Sequence, residues 1–290
     1  MAHQERKKIM KTWKKIVLGV SLISLFLGGG LVAWGYSQGG LTDLQNQTKS
    51  EQDYVKKEVK DFNKIDIKSS SYNVLIKNGD VDKATLSYYQ KTKNPIDTSV
   101  KDGQLTINDN NSELDSTSSK HINFFGLKDL VRLSTLNEEV RNKTIVITLP
   151  KTQTIDFLKV DLATGNLDLS NSTIKQADIN LNVGDLTFTK MIVSNLKANL
   201  DVGSVDSDHT LFTNSDLSIA MGDYSGDNLI FNGHNKLDVT SGDIEIALKD
   251  YTLNVQADSH SGEVDITNNL KISKDNTLTI TSDLGDITVE

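Results

Sequence analysis

No cysteine occurs among the 290 residues, proline occurs only twice, and aromatic side chains make up 6%. Without cysteine there is no disulfide framework, no thiolate metal site, no cysteine nucleophile and no lipidated cysteine anchor. Positive charge is also short: the net charge of −8 repels phosphate backbones and excludes a general nucleic-acid binder. No phosphate loop, dinucleotide fingerprint or nucleophile elbow occurs. What is present, 37% hydrophobic and 24% charged residues, suits one medium-sized ordered domain with attachments and excludes disorder of the whole chain.

Charge is unevenly placed. Residues 1–36 hold Arg6, Lys7, Lys8, Lys11, Lys14 and Lys15 against Glu5 alone, while 25 basic and 38 acidic residues follow position 36. Between the two parts, Ile16 to Tyr36 runs 21 residues without a charge. At about 1.5 Å per residue it spans roughly 31 Å as a helix, the thickness of a bilayer core. The preceding basic cluster places the N-terminus in the cytoplasm and residues 37–290 outside, with Trp13 and Trp34 as interfacial aromatics. A cleaved signal peptide is the competing reading, but no A-x-A-like site follows Ala33. The expected organisation is a cytoplasmic basic tail over 1–15, a transmembrane helix over 16–36 and a polar stalk over 37–61, helical near its end. An N-terminal β region over 62–150, with an insert at 108–135, and repeats over 151–290 complete it. The localisation implied is the cell membrane, with a single pass and an extracellular C-terminal domain.

From Phe62 the apolar residues alternate, as in Ile65-Asp-Ile67, Leu105-Thr-Ile107 and Ile145-Val-Ile147, with turns such as Asn78-Gly79 and Asp102-Gly103 between them. Beyond residue 155 the chain repeats itself around Gly165, Gly184, Gly203, Gly222, Gly242, Gly262 and Gly285, spaced by 19, 19, 19, 20, 20 and 23 residues. Apolar residues sit five and three before each glycine and two and four after it, as with Leu237, Val239, Ile244 and Ile246 around Gly242. This is two short strands meeting at a glycine corner, each burying one face. A third apolar cluster, with Ile174, Ile192, Leu211, Leu229-Ile-Phe231 and Leu253, completes the period. Three faces in about 20 residues describe one coil of an all-β, single-stranded, right-handed β-solenoid. The glycines are read as structural corners where φ is positive, and neither Pro95 nor Pro150 falls inside the repeats.

The anchor, the alternation over Phe62–Ile76, the Ile145-Val-Ile-Thr-Leu-Pro150 strand and the Gly-Asp-Leu/Ile corners together resemble the putative-adhesin domain of Gram-positive bacteria, a family that includes LiaG-like envelope-stress proteins. The resemblance covers about residues 62–290. It implies a surface-facing β-solenoid linked to cell-envelope stress operons, without an accepted enzymatic activity, and it brings no catalytic residues.

Chemistry is testable against that background. After the corner glycines stand Asn166, Asp185, Ser204, Asp223, Asp243, Glu263 and Asp286, so carboxylates stack about one coil apart. Retaining glycosidases need two carboxyls about 5–5.5 Å apart, so a polysaccharide-active β-helix is one reading. The favoured reading is that these side chains bond local backbone at turns. His209, His234 and His260 occupy different places relative to their glycines and form no imidazole column, and the nonapeptide calcium-roll pattern is absent. No catalytic residue, metal site or cofactor is expected.

Residues 108–120 are polar and low in complexity, and the following stretch carries Phe124, Phe125, Leu127, Leu130, Val131 and Leu133 in an amphipathic pattern. Two readings stay open for it: a cap over the first coil, and a surface that meets a partner or a membrane. The final copy, Leu278 to Val289, is expected to leave an open row of backbone groups, blunted by Asp283, Asp286, Glu290 and irregular spacing on the favoured reading and accepting a partner strand or a second copy on the alternative. The functional expectation is a membrane-anchored binding or scaffold protein, an accessory or sensor in the envelope-stress response. Its partners are envelope-stress membrane proteins or cell-wall polymer. A surface adhesin or wall-binding module is the alternative, and a polysaccharide-active enzyme comes third.

Overall fold

The computed structural model describes residues 52–91, 95–109 and 143–290. Every described element is a strand, and no helix among the described residues is long and apolar enough to cross a membrane. The expected span Ile16–Tyr36 lies outside the described residues, as does most of the insert.

Each coil has three walls. In the regular part, the first wall holds β9 (Phe157–Leu162), β12 (Ala177–Val183), β15 (Leu196–Val202), β18 (Asp216–Met221) and β20 (His234–Ser241). The second holds β10 (Leu167–Ser170), β13 (Leu186–Thr189), β16 (Val205–Asp208), the start of β19 (Tyr224–Asn232) and β21 (Ile244–Leu248). The third holds β8 (Thr154–Ile155), β11 (Thr173–Ile174), β14 (Ile192–Ser194), β17 (Leu211–Thr213) and the end of β19. All these strands pair in parallel with their counterparts one coil away, for instance Leu181 with Leu162 and with Leu200. The 19-residue spacing is therefore the coil length, and equivalent residues form columns along the stack.

The columns explain the alternation. Ile179, Ala198, Leu217 and Leu237 are buried on the first wall, and Leu167, Leu186, Val205 and Tyr224 on the second. On the third wall Ile174, Val193, Phe212 and Phe231 point inward. Phe212 packs edge-on to Phe188 at 5.3 Å between centroids and stacks on Phe231 at 5.8 Å. Ile192 and Leu211, read above as members of the inward cluster, are one residue out of phase and face outward, Ile192 being 48% exposed. A one-residue shift turns a strand side chain to the opposite face.

The stack extends beyond the glycine repeats at both ends, and at both ends chain order departs from stacking order. On the N-terminal side, β2 (Lys64–Ser69) and β3 (Asn73–Gly79) pair with β9 and β10. Outside them lies a coil formed later in the chain, β6 (Gln104–Asn108) and β7 (Thr144–Pro150). Antiparallel strands close that end: β5 (Asp97–Lys101) on β6, and β4 (Thr85–Lys91) followed by β1 (Gln52–Glu58) on β7. β1 occupies the end of the segment read as a helical stalk. Its register against β4 places Tyr54 opposite Tyr89, and the two rings lie 4.8 Å apart.

The C-terminal side corrects the expectation for the final copy. β24 (Thr277–Leu284) and β25 (Ile287–Val289) do not end the stack; they are inserted between β20–β21 and the coil made by β22 (Asn254–Ser261) and β23 (Val264–Ile266). Leu278, Ile280, Ile287 and Val289 are buried there. The physical reason is apolar content: the inserted coil needs strong inward residues covered on both sides, and Leu278 and Ile280 serve this better than Val255 and Ala257 at the same positions of β22. Nine coils therefore stack among the described residues, roughly 40 Å end to end at the strand spacing.

Candidate functional site

The first corner, between the first and second walls, carries the glycines and the residues after them. Gly165, Gly184, Gly203, Gly222, Gly242 and Gly285 have φ between 140° and 149°, whereas Gly262 is not among the positive-φ glycines. A Cβ on Gly203 would stand 2.0 Å from the carbonyl oxygen of Gly184, and the same overlap recurs up the column. The corner thus demands glycine twice, for its backbone conformation and because successive coils touch backbone to backbone there.

The side chains after the glycines form one ladder along the stack. Asn73 Oδ1 accepts from the Asn166 N–H at 2.9 Å, Asn166 Oδ1 from Asp185 at 2.9 Å, and Asp185 Oδ1 from Ser204 at 3.0 Å. Ser204 Oγ accepts from Asp223 at 3.4 Å, Asp223 Oδ1 from Asp243, Asp243 Oδ1 from Asp286, and Asp286 Oδ1 from Glu263. Each acid or amide satisfies an N–H that the tight corner would otherwise leave open. One carboxylate oxygen of each of Asp185, Asp223, Asp243 and Asp286 thus holds the backbone of a neighbouring coil.

The third corner is polar in the same way. Asn195, Asn214 and Gly233 have φ of 48°, 55° and 66°, and Asn214 Oδ1 accepts from the His234 N–H at 3.0 Å. Asparagine tolerates the left-handed region because its short side chain bonds nearby backbone.

The second corner differs, and there the wall opens into a groove. Asn171, Lys190, His209 and Asn228 hold φ from 48° to 54° in one column, so two positions carry long charged or ionisable side chains. Beside them Ile192, Leu211 and Ile230 form the outward apolar row of the third wall. Lys190, His209, Asn228 and Lys249 line, with that apolar row, a groove of about 160 Å³. Pockets for free small molecules run about 300–1,000 Å³, so this groove suits a single unit of a larger ligand. At its edge Asp208, His209 and Asp227 gather, with ligand atoms all within 4.8 Å of one another. His209 Nδ1 and Asp208 Oδ1 are 2.7 Å apart, and Asn228 donates its amide to Asp227 at 2.8 Å. An imidazole with two carboxylates is a donor set suited to a first-row divalent cation. Sequence reasoning missed the cluster because Asp227 comes from the next coil; the signal was the 19-residue interval between Asp208 and Asp227.

Two ionisable groups stand apart. Asp168 lies on the outward side of β10, opposite Leu75 and Thr187, yet it is only 2% exposed and its Oδ1 has no hydrogen-bond partner. Burial pushes its carboxyl up to about 6, and the Lys77 charge pulls the other way. Tyr72, in the turn before β3, is pushed up to about 12 by burial and by the Asp109 and Tyr88 groups, and its hydroxyl donates to the Tyr89 carbonyl at 3.0 Å. Phe124, Phe125, Leu127, Leu130, Val131 and Leu133 lie outside the described residues.

These features define a class of protein: an all-β coil stack whose corner acids serve the backbone and whose concave surface is small and lies on one outer edge. The chain belongs to the Toastrack DUF4097 family, whose model matches residues 62–290. Solved structures to which the chain is similar include a putative cell adhesion protein from Clostridium sporogenes, 16% identical with a TM-score of 0.36, covering 82% of this chain and 99% of its own. A putative adhesin from Bacteroides fragilis is 15% identical with a TM-score of 0.37, covering 83% and 98%. A putative lipid binding protein from Parabacteroides distasonis is 12% identical with a TM-score of 0.37, covering 82% and 97%. These structures are too distant to bear on function. No curated protein matches the chain.

Proposed function

We propose that this protein is a membrane-anchored extracellular binding or scaffold protein, built as a right-handed β-solenoid and acting as an accessory or sensor in the cell-envelope stress response. The observation that supports a binding role is the use of the corner carboxylates of Asp185, Asp223, Asp243 and Asp286 as acceptors for a neighbouring coil. The uncharged span Ile16–Tyr36 behind a basic tail supports the anchor. Protease treatment of intact cells should remove the solenoid and leave a small membrane-bound fragment; a protected C-terminal domain overturns the topology. Deletion should change induction of an envelope-stress reporter by a wall-active antibiotic, and an unchanged dose response overturns the sensor role.

One observation favours a second reading, the wall-binding module. The groove combines Lys190, Lys249 and His209 with an apolar floor and has room for one sugar-sized unit, a combination that suits an anionic glycan polymer. Retention on purified wall material, lost in a Lys190→Glu, Lys249→Glu variant, supports that reading; retention unchanged by the variant removes the groove from it.

A further inference from the structure

The two ends of the stack are not equivalent, and the open one has the features of a self-pairing edge. β22 is the outermost strand of its sheet, and β23 ends the second wall. The Asn254 N–H donates to the Asn276 carbonyl at 3.0 Å, which fixes the phase: the N–H and C=O groups of Asn254, Gln256 and Asp258 face β24, and those of Val255, Ala257 and Ser259 face away. Among the described residues no strand pairs with that outer row. Neither β22 nor β23 carries a lysine or proline, the residues that usually protect an edge. Apolar side chains are uncovered at the same end, with Val264 42% and Ile272 84% exposed.

We propose that β22 pairs with β22 of a second copy, antiparallel about a two-fold axis at Ala257. In that register Ala257 faces its twin and Val255 faces Ser259, so all three outward-directed residues meet in reciprocal hydrogen-bonded pairs. On the solvent face Gln256 comes opposite Asp258, an amide donor against a carboxylate, and Asn254 comes opposite His260. A two-fold at Asp258 would instead set the two carboxylates against each other, and a two-fold at Gln256 would leave Ser259 without a partner in β22, so charge and pairing together select the register centred on Ala257. A second copy is the occupant because the strand complements itself in this arrangement, and the contact closes as a dimer. The opposite end of the stack carries antiparallel strands whose edges, β1 and β5, bear Lys56, Lys57 and Lys101, so head-to-tail stacking of like coils is disfavoured there. The pairing does not depend on the proposed role in stress signalling.

The test is sedimentation equilibrium on the full chain in mild detergent, with circular dichroism as the control for folding. The parent is expected to be a dimer. Ala257→Pro removes an N–H that faces away from β24, so it should abolish association with the β spectrum intact. Gln256→Glu should weaken association roughly tenfold, because two acids then face two acids, and Gln256→Lys should strengthen it by a similar factor. Gln256 is exposed, so both changes are neutral for the isolated fold. A monomer at every concentration overturns the proposal. So does a dimer that ignores the Gln256 variants, which assigns association to another part of the chain, or competition by an unrelated strand peptide without any parent dimer, which assigns the edge to a foreign partner.

Discussion

The N-terminal end of the stack is overlaid by antiparallel strands whose edges bear Lys56, Lys57 and Lys101, and the C-terminal end is not, although both are built by the same device. At each end a pair of strands later in sequence is laid out of order, β6–β7 outside β2–β3 and β24–β25 inside β22–β23. At the N-terminal end the outer coil is then covered by antiparallel strands, and Leu105, Ile107, Ile145 and Ile147 are fully buried. At the C-terminal end Val255, Ala257 and Ile266 are only partly buried against the core. The coil as a repeating unit does not stop itself: each coil presents the same backbone row as the last, and termination requires strands of a different direction. Where such strands are absent, local stability should fall toward the tip.

The strongest way to break this contrast is at a corner in the middle. Gly203→Val places a branched side chain where a Cβ already meets the Gly184 carbonyl at 2.0 Å, at φ 146°. Loss of the folded state, or destabilisation by more than about 4 kcal/mol in denaturant titration, is expected. A near-parental midpoint means that coils separate at this corner without cost.

Next in size is the core. Phe212 is buried between Phe188 and Phe231 in mid-stack, so Phe212→Ala should cost about 3–5 kcal/mol. In the monomer, Val255→Ala at the tip should cost less than about 1 kcal/mol, since that side chain is only partly buried. A Val255→Ala cost that rises above that value at concentrations where the chain self-associates is what dimerisation by β22 requires.

Much of this was legible from the chain. The seven glycines at near-constant intervals gave the coil length, and the alternation about them gave the buried columns of the first two walls. The coil β2–β3 was harder to see because Tyr72-Asn73-Val74 stands where Gly165-Asn166-Leu167 stands in the next coil; Asn73 supplies the same acceptor without a glycine before it. The groove was hidden because Ile192 and Leu211 sit one residue from the inward column and composition does not distinguish the two phases. The inversion of the last two coils could not be read from spacing, since both copies fit the same template. The signal was the contrast between Leu278-Thr-Ile280 and Val255-Gln-Ala257, which identifies the coil that must be covered on both sides.

Asp168 sharpens the contrast from the closed half of the stack. Its carboxyl titrates near 6 in the folded chain, against about 3.9 when unfolded, because burial disfavours the charge. The folded state therefore holds the proton more tightly than the unfolded state between those values. Stability is full below about pH 4, falls as pH rises to about 6, and is level above. Asp168→Asn should remove that slope and gain about 1–3 kcal/mol at pH 7, with little effect at pH 4. Denaturant midpoints at the two pH values decide it; an unchanged slope means that the carboxylate finds a partner when ionised.

The smallest effect concerns the corner ladder, where an acidic residue does different work at the two positions. Asp243 sits between coils: its Oδ1 accepts from the Asp286 N–H at 2.9 Å, and its own N–H donates to Asp223. Removing that acceptor in Asp243→Ala leaves a corner N–H without a charged partner, at a cost of about 1–2 kcal/mol. Glu263 occupies the last rung: its N–H donates to Asp286 at 2.8 Å, and no described coil lies beyond it to take up its carboxylate. Glu263→Ala should therefore shift the midpoint by no more than about 0.5 kcal/mol. The difference between the two variants isolates the ladder from the turn, because both residues follow a corner glycine and both carry an acid. If Glu263→Ala costs as much as Asp243→Ala, its carboxylate is engaged in solution. The tip must then be covered by a further strand, and the two ends of the stack are closed alike.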